Sequence, residues 1–197
     1  MLENDKNKKT KVGIIDLRTS NLFSIFHAIK KAGFRVNIVD TKKSQFDYDT
    51  LILPGVGSFK FAMKFIKQYG LDEKIFEHVL NKKKNLVGIC LGMQLLFEES
   101  NEFGYSKGLG LIKGRVKKIN YKKNFPVPHM GWNHIILKKN KYNFLTKQDK
   151  KNMFYFVHSY YCIPKNSKNI CTETIYGDLK FCSSVRENNI FGMQFHP

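Results

Sequence analysis

The stretch that decides the fold of this chain is Asn85-Leu-Val-Gly-Ile-Cys-Leu-Gly-Met-Gln-Leu-Leu-Phe97. Its first half, residues 86–89, is a short apolar and β-branched run of the kind that forms a buried strand. Residues 93–97 are typical of the first turns of an apolar helix, and Cys90 stands between the two runs. The stretch therefore predicts a strand, a sharp turn and a helix, with a thiol at the turn.

This turn predicts a nucleophile at Cys90. Gly88 and Gly92 flank the cysteine, and a tight elbow needs glycines because it leaves no room for Cβ atoms beside the nucleophile. The elbow would carry the thiol to the carboxyl edge of a sheet. We expect the N-terminus of the following helix to favour the thiolate, which is the reactive form. The alternative is that Cys90 is a small buried hydrophobic residue, as most free cysteines are.

On the N-terminal side of this stretch, strand and helix patterns alternate. The predicted strands are residues 12–16, 35–39 and 51–54, and the predicted helices are residues 22–32, 59–69 and 71–81. A strand, a helix and a second strand in immediate succession favour a parallel sheet. The first residues, 1–11, are charged and rich in Asn and Lys, so we expect a loose leader there.

On the C-terminal side the pattern changes to shorter alternating runs separated by glycines and prolines. The alternating runs at residues 109–119 and 135–137 predict antiparallel strands added to the sheet. Further strands are predicted at residues 153–157, 181–185 and 190–195. We find no internal repeat or linker, and 197 residues suit a single domain. The fold class predicted from these patterns is an α/β three-layer sandwich.

Composition restricts the possible partners. The chain carries 34 basic and 16 acidic residues, a net charge of +18, but lysine far outnumbers arginine and is spread along the whole length. Nucleic-acid readers favour arginine for its bidentate geometry, so an anionic substrate or an acidic protein partner is the better interpretation and we expect no nucleic acid. No apolar run is long enough to span a membrane, so we expect no membrane association.

The cysteine pattern argues against metal binding. The four cysteines lie at positions 90, 162, 171 and 182, without the paired spacing or the neighbouring histidines of a zinc site. We therefore predict no metal and no cofactor, and a reducing cytoplasm as the compartment.

Several chemically suggestive positions follow predicted strands. They are Asp16, residues 54–57, Cys90, His158 and His196. In open α/β sheets the ligand crevice lies at the carboxyl ends of the strands, so we expect these positions to converge on one edge.

The expected chemistry is acyl transfer through a thioester. A cysteine nucleophile needs a base, for which His196 is the candidate, and donors that stabilise an oxyanion. The glycine-rich loop at residues 55–57 and the backbone N–H of Leu91 could supply those donors. A lone histidine after a strand is more often structural, and a glycine-rich loop is as often an ordinary turn.

Three motifs together resemble the class I glutamine amidotransferases, which use a Cys-His-Glu triad. They are Pro54-Gly-Val-Gly57, Gly88-Ile-Cys-Leu-Gly-Met-Gln94 and Gln194-Phe-His-Pro197, in the order of the family and across nearly the whole chain. Three further stretches resemble the glutaminase subunits of imidazole glycerol phosphate synthases. They are Gln94-Leu-Leu-Phe-Glu-Glu-Ser100 with Glu102, Pro128-His-Met-Gly-Trp-Asn133, and Phe156-Val-His-Ser-Tyr160. The run that begins at Pro128 is the most specific.

The resemblance implies a flavodoxin-like domain that hydrolyses glutamine to glutamate and ammonia. It implies that Cys90 attacks the amide, that His196 is the base, and that the N–H groups of Val56 and Leu91 form the oxyanion hole. The glutamine head group would be held by Gly57, Gln94, Glu102, His158, Ser159 and Tyr160. Ammonia would pass to a partner (βα)8 cyclase subunit, with Trp132 and Asn133 at the interface, to make imidazole glycerol phosphate and the aminoimidazole carboxamide ribotide.

The sequence departs from the family pattern in two places. The triad glutamate is expected two residues after His196, beyond Pro197, so we expect the sequence to be truncated there. The loop Asp16-Leu-Arg-Thr-Ser-Asn21 replaces Asp-Tyr-Gly, one residue, then Gly-Asn, which calls for a rebuilt turn on the partner-facing edge.

Three alternatives stay open from the sequence. The first is a paralogous glutaminase that supplies ammonia to a different synthase, such as a sugar-amidating barrel enzyme. The second is a stand-alone cysteine hydrolase on the same sandwich, which would not need the glutamine pocket. The third is a nucleic-acid-binding module, which would bind with a steep salt dependence.

Overall fold

The computed structural model describes residues 10–18, 22–42, 46–120, 122, 124–139 and 144–196. Most of the predicted leader, residues 1–9, lies outside the described residues. Lys11 was predicted to belong to that leader, and this is wrong because Lys11 pairs with Arg35 and begins the first strand. Strand pairing with a distant segment is not visible in the local composition, which is why the leader boundary was set too late.

The described strands, in chain order, are β1 (Lys11–Ile14), β2 (Arg35–Ile38), β3 (Thr50–Gly55), β4 (Asn85–Cys90), β5 (Phe97–Ser100), β6 (Ser106–Lys107), β7 (Ile112–Lys118), β8 (His129–His134), β9 (Ile136–Leu137), β10 (Met153–His158), β11 (Tyr160–Pro164), β12 (Ile170–Tyr176), β13 (Leu179–Glu187) and β14 (Ile190–Met193). The α-helices are α1 (Leu22–Lys31), α2 (Phe59–Gln68), α3 (Leu71–Phe76) and α4 (Leu91–Leu95). A π-helical turn, Glu77–Asn81, continues α3, and two short 3₁₀ turns lie at Asp149–Lys151 and Ser167–Asn169.

The central sheet has a parallel half and a largely antiparallel half. The parallel half runs in the order β2-β1-β3-β4-β14, and every neighbouring pair in it is parallel. The sheet continues as β13-β11-β7-β5-β6, with β12 and β9 paired beyond β13, and only β5 and β7 are parallel in this half. The predicted fold class, a mostly parallel central sheet with an antiparallel extension, is confirmed.

The parallel half carries helices on both faces, which makes the three layers. On one face, Ile14, Ile52 and Ile89 pack against partly buried side chains of α1. On the other face, α2, α3 and α4 contribute to a larger core that includes Phe59 and Ile75. Both faces of the inner strands β1, β3 and β4 are covered, so these strands read as largely apolar runs.

The helix after Cys90 is shorter and begins earlier than predicted. It was predicted at residues 93–97, whereas α4 ends at Leu95 and Phe97 already begins β5. Phe97 pairs with Ile112 of β7, and the carbonyl oxygen of Phe97 accepts the backbone N–H of Gly110. This pairing with a later segment overrides the helical preference of the apolar run.

One predicted strand belongs to a different sheet. Residues 153–157 were predicted as a strand, which β10 confirms, and among the described strands β10 pairs with β8 in a separate two-stranded antiparallel sheet. The partner strand β8 was not predicted, because the segment begins after Pro128 and contains Gly131 and does not read as a strand. In this small sheet His129 stands opposite His158 and Trp132 stands opposite Tyr155.

Within the described residues, none of the helices combines the length and the apolar character that a membrane crossing requires.

Candidate active site

Cys90 lies on a strained elbow between β4 and α4. Its backbone has φ 56° and ψ −112°, a conformation that costs a non-glycine residue about 1–3 kcal/mol. A Cβ atom on Gly92 would lie 1.7 Å from the carbonyl oxygen of Leu53, and one on Gly88 would lie 2.6 Å from the carbonyl oxygen of Gly92. The flanking glycines are therefore required by backbone contact, as the sequence predicted.

The thiol itself is buried among neutral groups. Its Sγ lies 3.9 Å from the carbonyl oxygen of Val157 and 3.8 Å from the side-chain nitrogen of Gln194. Burial raises the pKa of the Cys90 thiol to about 11, although the Leu91 N–H and the Gln194 amide act in the opposite direction. The Leu91 N–H at the start of α4 favours the thiolate, as expected, but desolvation is the larger effect and the net shift of the pKa is upward.

This pKa predicts a steep pH dependence of cysteine alkylation. Only the thiolate reacts, so the rate of Cys90 carboxamidomethylation by iodoacetamide should rise about tenfold per pH unit and level off only near pH 11. Mass spectrometry of the Cys90 peptide, sampled from pH 7 to pH 11, measures this rate. The slope is independent of steric access, which changes only the absolute rate. A plateau below pH 9 would contradict the raised pKa.

His196 lies at the same end of the sheet as the thiol, because β14 runs parallel to β4. The backbone N–H of His196 donates to the carbonyl oxygen of Tyr155 at 2.9 Å, which holds the residue after β14. Its Nε2 is buried and has no hydrogen-bond partner in the described part of the chain. Burial lowers the pKa of His196, so the imidazole is neutral and able to accept a proton. Pro197, where the sequence was expected to be truncated, lies outside the described residues.

A cavity of about 280 Å³ opens in front of Cys90. Its lining contains all the residues predicted for the oxyanion hole and for the glutamine head group: Val56, Gly57, Leu91, Gln94, Glu102, His158, Ser159 and Tyr160. These residues come from the loop after β3, from α4, from the turn after β5, from the end of β10 and from the start of β11. The cavity thus brings together segments that lie far apart in the sequence.

Two polar side chains of this cavity also support the fold. Glu102 accepts the backbone N–H of Phe59, the first residue of α2, at 2.5 Å. Burial raises the pKa of Glu102, and the bond from Phe59 opposes the shift. The side-chain N–H groups of Gln94 donate to the carbonyl oxygen of Tyr160 at 3.0 Å and to Gln194 Oε1 at 3.1 Å.

The sequence did not assign a role to Gln194 or His129, although both stand within motifs that it singled out. Gln194 is fully buried and lies beside the thiol. His129 is buried and bonded to His158. The available signal was a polar residue among apolar neighbours in a strand pattern, which marks a buried hydrogen-bonded group.

The two predicted interface residues point in opposite directions. Trp132 is 66% exposed and stands on the outer face of β8 with Met130, which is 61% exposed. Asn133 faces inward and donates to the carbonyl oxygen of Ile175 at 2.9 Å.

The altered loop after β1 keeps a glycine-like turn. Arg18 has φ 61°, the left-handed conformation that favours glycine, and its backbone N–H donates to Asp16 Oδ1 at 2.7 Å. This turn is therefore built on an arginine, stabilised by an aspartate side chain. The remainder of the loop, up to Asn21, lies outside the described residues.

Comparison with known proteins supports the family. The model of the glutamine amidotransferase class-I family matches residues 13–197. An imidazole glycerol phosphate synthase subunit HisH from Chlorobaculum tepidum is 38% identical over 186 residues, which is 94% of this chain and 91% of that protein. The protein of the same name from Sulfurimonas denitrificans is 41% identical over 189 residues, covering 94% of this chain and 89% of the relative.

Solved structures give the same fold at lower identity. A structure of PurLQS from Thermotoga maritima aligns with a TM-score of 0.72 at 20% identity, covering 96% of this chain and 88% of that one. A crystal structure of a glutamine amidotransferase aligns with a TM-score of 0.67 at 18% identity, covering 94% and 89% of the two chains. With the elbow, the cavity and these matches together, the chain belongs to the class I glutamine amidotransferases.

Proposed function

We propose that this chain is the glutaminase subunit of an imidazole glycerol phosphate synthase. It hydrolyses glutamine to glutamate and ammonia, and the ammonia passes to a (βα)8 cyclase subunit in histidine biosynthesis. The observation that carries the proposal is the buried cysteine on a strained elbow, facing a cavity lined by the motif residues. The relatives that are about 40% identical over nearly the whole chain bear the name of this synthase subunit.

The chemistry follows from the groups around the thiol. Cys90 Sγ attacks the side-chain amide carbon of glutamine while its proton passes to His196, and the N–H groups of Val56 and Leu91 stabilise the oxyanion. His196 then protonates the leaving nitrogen, which departs as ammonia and leaves a thioester. Water, deprotonated by the same imidazole, hydrolyses the thioester to glutamate and restores the thiol.

The cavity suits the two ends of a glutamine molecule. Glu102 can pair with the α-ammonium group, because its carboxylate lies in the lining and a bound cation would lower its raised pKa. Ser159 and Tyr160 also line the cavity and can orient the head group. This arrangement favours an amino-acid amide over a general acyl substrate, which argues against a stand-alone hydrolase.

The outer face of the small sheet is the proposed contact surface for the cyclase. Met130, Trp132 and Met153 are exposed there by 61%, 66% and 47%. The Trp132 ring packs edge-on against Tyr155, whose carbonyl oxygen holds the backbone of His196. A partner bound to this face would therefore lie next to Tyr155, whose backbone is hydrogen-bonded to that of the proposed base. The net charge of +18 favours an acidic partner surface.

The location we propose is the cytoplasm. All four cysteines are free thiols, which is the expected state in a reducing compartment.

The proposal predicts a partner-dependent glutaminase. Glutamate release by the isolated chain should be slow, because the thiol is protonated and we expect the Val56 N–H to point away from the oxyanion until the partner binds. Addition of a purified cyclase barrel and its ribonucleotide substrate should stimulate the release strongly. Trp132→Ala should weaken barrel binding by about 2 kcal/mol, the usual cost of truncating an aromatic anchor.

Phe61→Ala is the matched control, since Phe61 is 57% exposed on α2 and lies outside the small sheet. This variant should bind and respond like the unmodified protein. Binding without stimulation would point to a different synthase partner, such as a sugar-amidating enzyme. Absence of both binding and activity would overturn the proposal.

A further inference from the structure

One wall of the cavity is tied to β8 by a chain of side-chain hydrogen bonds. His158 Nδ1 lies 2.8 Å from the carbonyl oxygen of Tyr160, and His158 Nε2 lies 3.0 Å from Nδ1 of His129. On its other side, Nε2 of His129 lies 3.3 Å from the side-chain nitrogen of Asn133. His129 and His158 are both buried, so water does not compete for these bonds.

Only one placement of protons satisfies all the hydrogen bonds of this series. The carbonyl oxygen of Tyr160 can only accept, so Nδ1 of His158 carries the proton. A neutral imidazole has one N–H group, so Nε2 of His158 accepts and Nδ1 of His129 donates to it. Nε2 of His129 must then accept, and the amide of Asn133 donates. All the donors therefore point in the same direction, from β8 towards the cavity wall.

The amide of Asn133 is oriented independently of the histidines. The backbone N–H of His134 donates to Asn133 Oδ1 at 2.8 Å, which identifies the oxygen end of the amide. One hydrogen of the amide nitrogen goes to the carbonyl oxygen of Ile175 at 2.9 Å, and the other remains for His129. Asn133, and not the histidines, therefore sets the direction in which the hydrogen bonds of this series are donated.

The surroundings keep both rings neutral and in place. Burial lowers the pKa of His129 to about 4 and that of His158 to about 3, and repulsion from a charge on His129 or His196 lowers the pKa of His158 further. The ring of His129 stacks between Phe156 and Tyr176, with centroid distances of 4.9 Å and 4.1 Å. A ring held in this way has little freedom to turn and exchange its two nitrogens.

At its inner end this series of hydrogen bonds is linked to the nucleophile through Gln94 and Gln194. The carbonyl oxygen of Tyr160 accepts from His158 and also from Gln94 at 3.0 Å, so both of its lone pairs are used. The same nitrogen of Gln94 donates to Gln194 Oε1 at 3.1 Å, and the Gln194 amide lies 3.8 Å from Cys90 Sγ. The Tyr160 carbonyl is the junction between the two halves of this network.

We propose that His129 and Asn133 are positioning residues for glutamine hydrolysis. Their series of N–H donors, all pointing in one direction, sets the tautomer of His158 and fixes the position of the Tyr160 carbonyl. It thereby positions the wall of the cavity against which the glutamine head group binds. His129 acts from behind His158, without touching the substrate. This inference rests on the proposed function, because the wall affects turnover only if glutamine binds there.

The first test is the kinetics of His129→Phe, assayed on the full chain with the cyclase barrel present. Phenylalanine keeps a flat ring between Phe156 and Tyr176 but has no donor for His158. Loss of this buried bond should raise the KM for glutamine about tenfold, with kcat changed by less than about threefold. His129→Gln retains a side-chain N–H donor and should recover much of the affinity. Tyr176→Phe, which keeps the stacked ring and loses only its bond to Pro126, is the control and should leave KM unchanged.

The second test does not require activity. Long-range ¹H–¹⁵N correlation spectra of the ring nitrogens should show His129 and His158 as Nδ1–H tautomers from pH 6 to pH 8. In His129→Phe the Nε2 resonance of His158 should shift as its donor is lost. An Nε2–H tautomer at either histidine, or an unchanged KM in His129→Phe, would overturn the inference while leaving the proposed function intact. Failure of the unmodified protein to hydrolyse glutamine with the barrel would overturn the proposed function, and this role with it.

Discussion

Replacing Cys90 by alanine is expected to lower glutamine hydrolysis by about 10⁴-fold or more, because the thioester cannot form without the sulfur nucleophile. The fold should be retained, since alanine fits the space of the thiol and the elbow keeps the same backbone conformation. The measurement is glutamate release with the cyclase barrel and its ribonucleotide substrate present, together with the thermal unfolding midpoint. Ammonia-dependent synthesis by the complex should survive, because free ammonia bypasses the glutaminase step.

Cys171→Ala is the matched control for this variant. Cys171 is also a buried free thiol, but it lies in β12 and outside the lining of the cavity. It should keep glutaminase activity close to that of the unmodified protein. If Cys90→Ala retained more than about 1% of the activity, the thioester mechanism at this site would be wrong.

Replacing Gly92 by alanine is expected to have the largest effect on stability. The new Cβ would stand 1.7 Å from the carbonyl oxygen of Leu53 in the neighbouring strand β3. Both groups belong to the backbone of the core sheet and of α4, so neither can turn aside as a flexible side chain could. The cost should reach about 3 kcal/mol or more, or prevent folding, as expected for severe overpacking of a core. Urea unfolding followed by far-UV circular dichroism measures the loss.

Gly33→Ala separates this clash from ordinary backbone strain. Gly33 has φ 89°, yet a Cβ at that position would meet no atom within 4 Å. Its replacement should cost only about 1–2 kcal/mol, the price of a left-handed conformation for alanine. Equal losses in the two variants would show that the close approach at Gly92 is relieved by movement of the elbow, contrary to our expectation.

Much of the fold was predictable because its signals are local. The apolar run before Cys90 and the alternation of strands and helices before it depend on neighbours a few residues apart, and these elements appear where expected. The helix predicted at residues 93–97 was misplaced and the strand β8 was not predicted, and both segments depend on a distant partner. Phe97 becomes a strand residue because it pairs with Ile112, and residues 129–134 become β8 because they pair with β10.

The same division holds for the candidate site. The motif residues around Cys90 were identified from the sequence, and eight of the residues predicted around the nucleophile line one cavity in front of it. The net rise in the pKa of the thiol was not predicted, because burial depends on how completely the surrounding segments close over Sγ. The role of Gln194 was equally invisible, since its amide reaches the sulfur only when β14 lies beside β4.

By itself, then, the sequence determined the fold class, the nucleophile elbow and the family, because each depends on residue types at short spacing. Only the tertiary structure decided the state of the Cys90 thiol, the direction of the chain from Asn133 to Tyr160, and which face of β8 is left exposed. These properties depend on desolvation and on hydrogen-bond partners from separate strands, and such contacts exist only once the chain has folded.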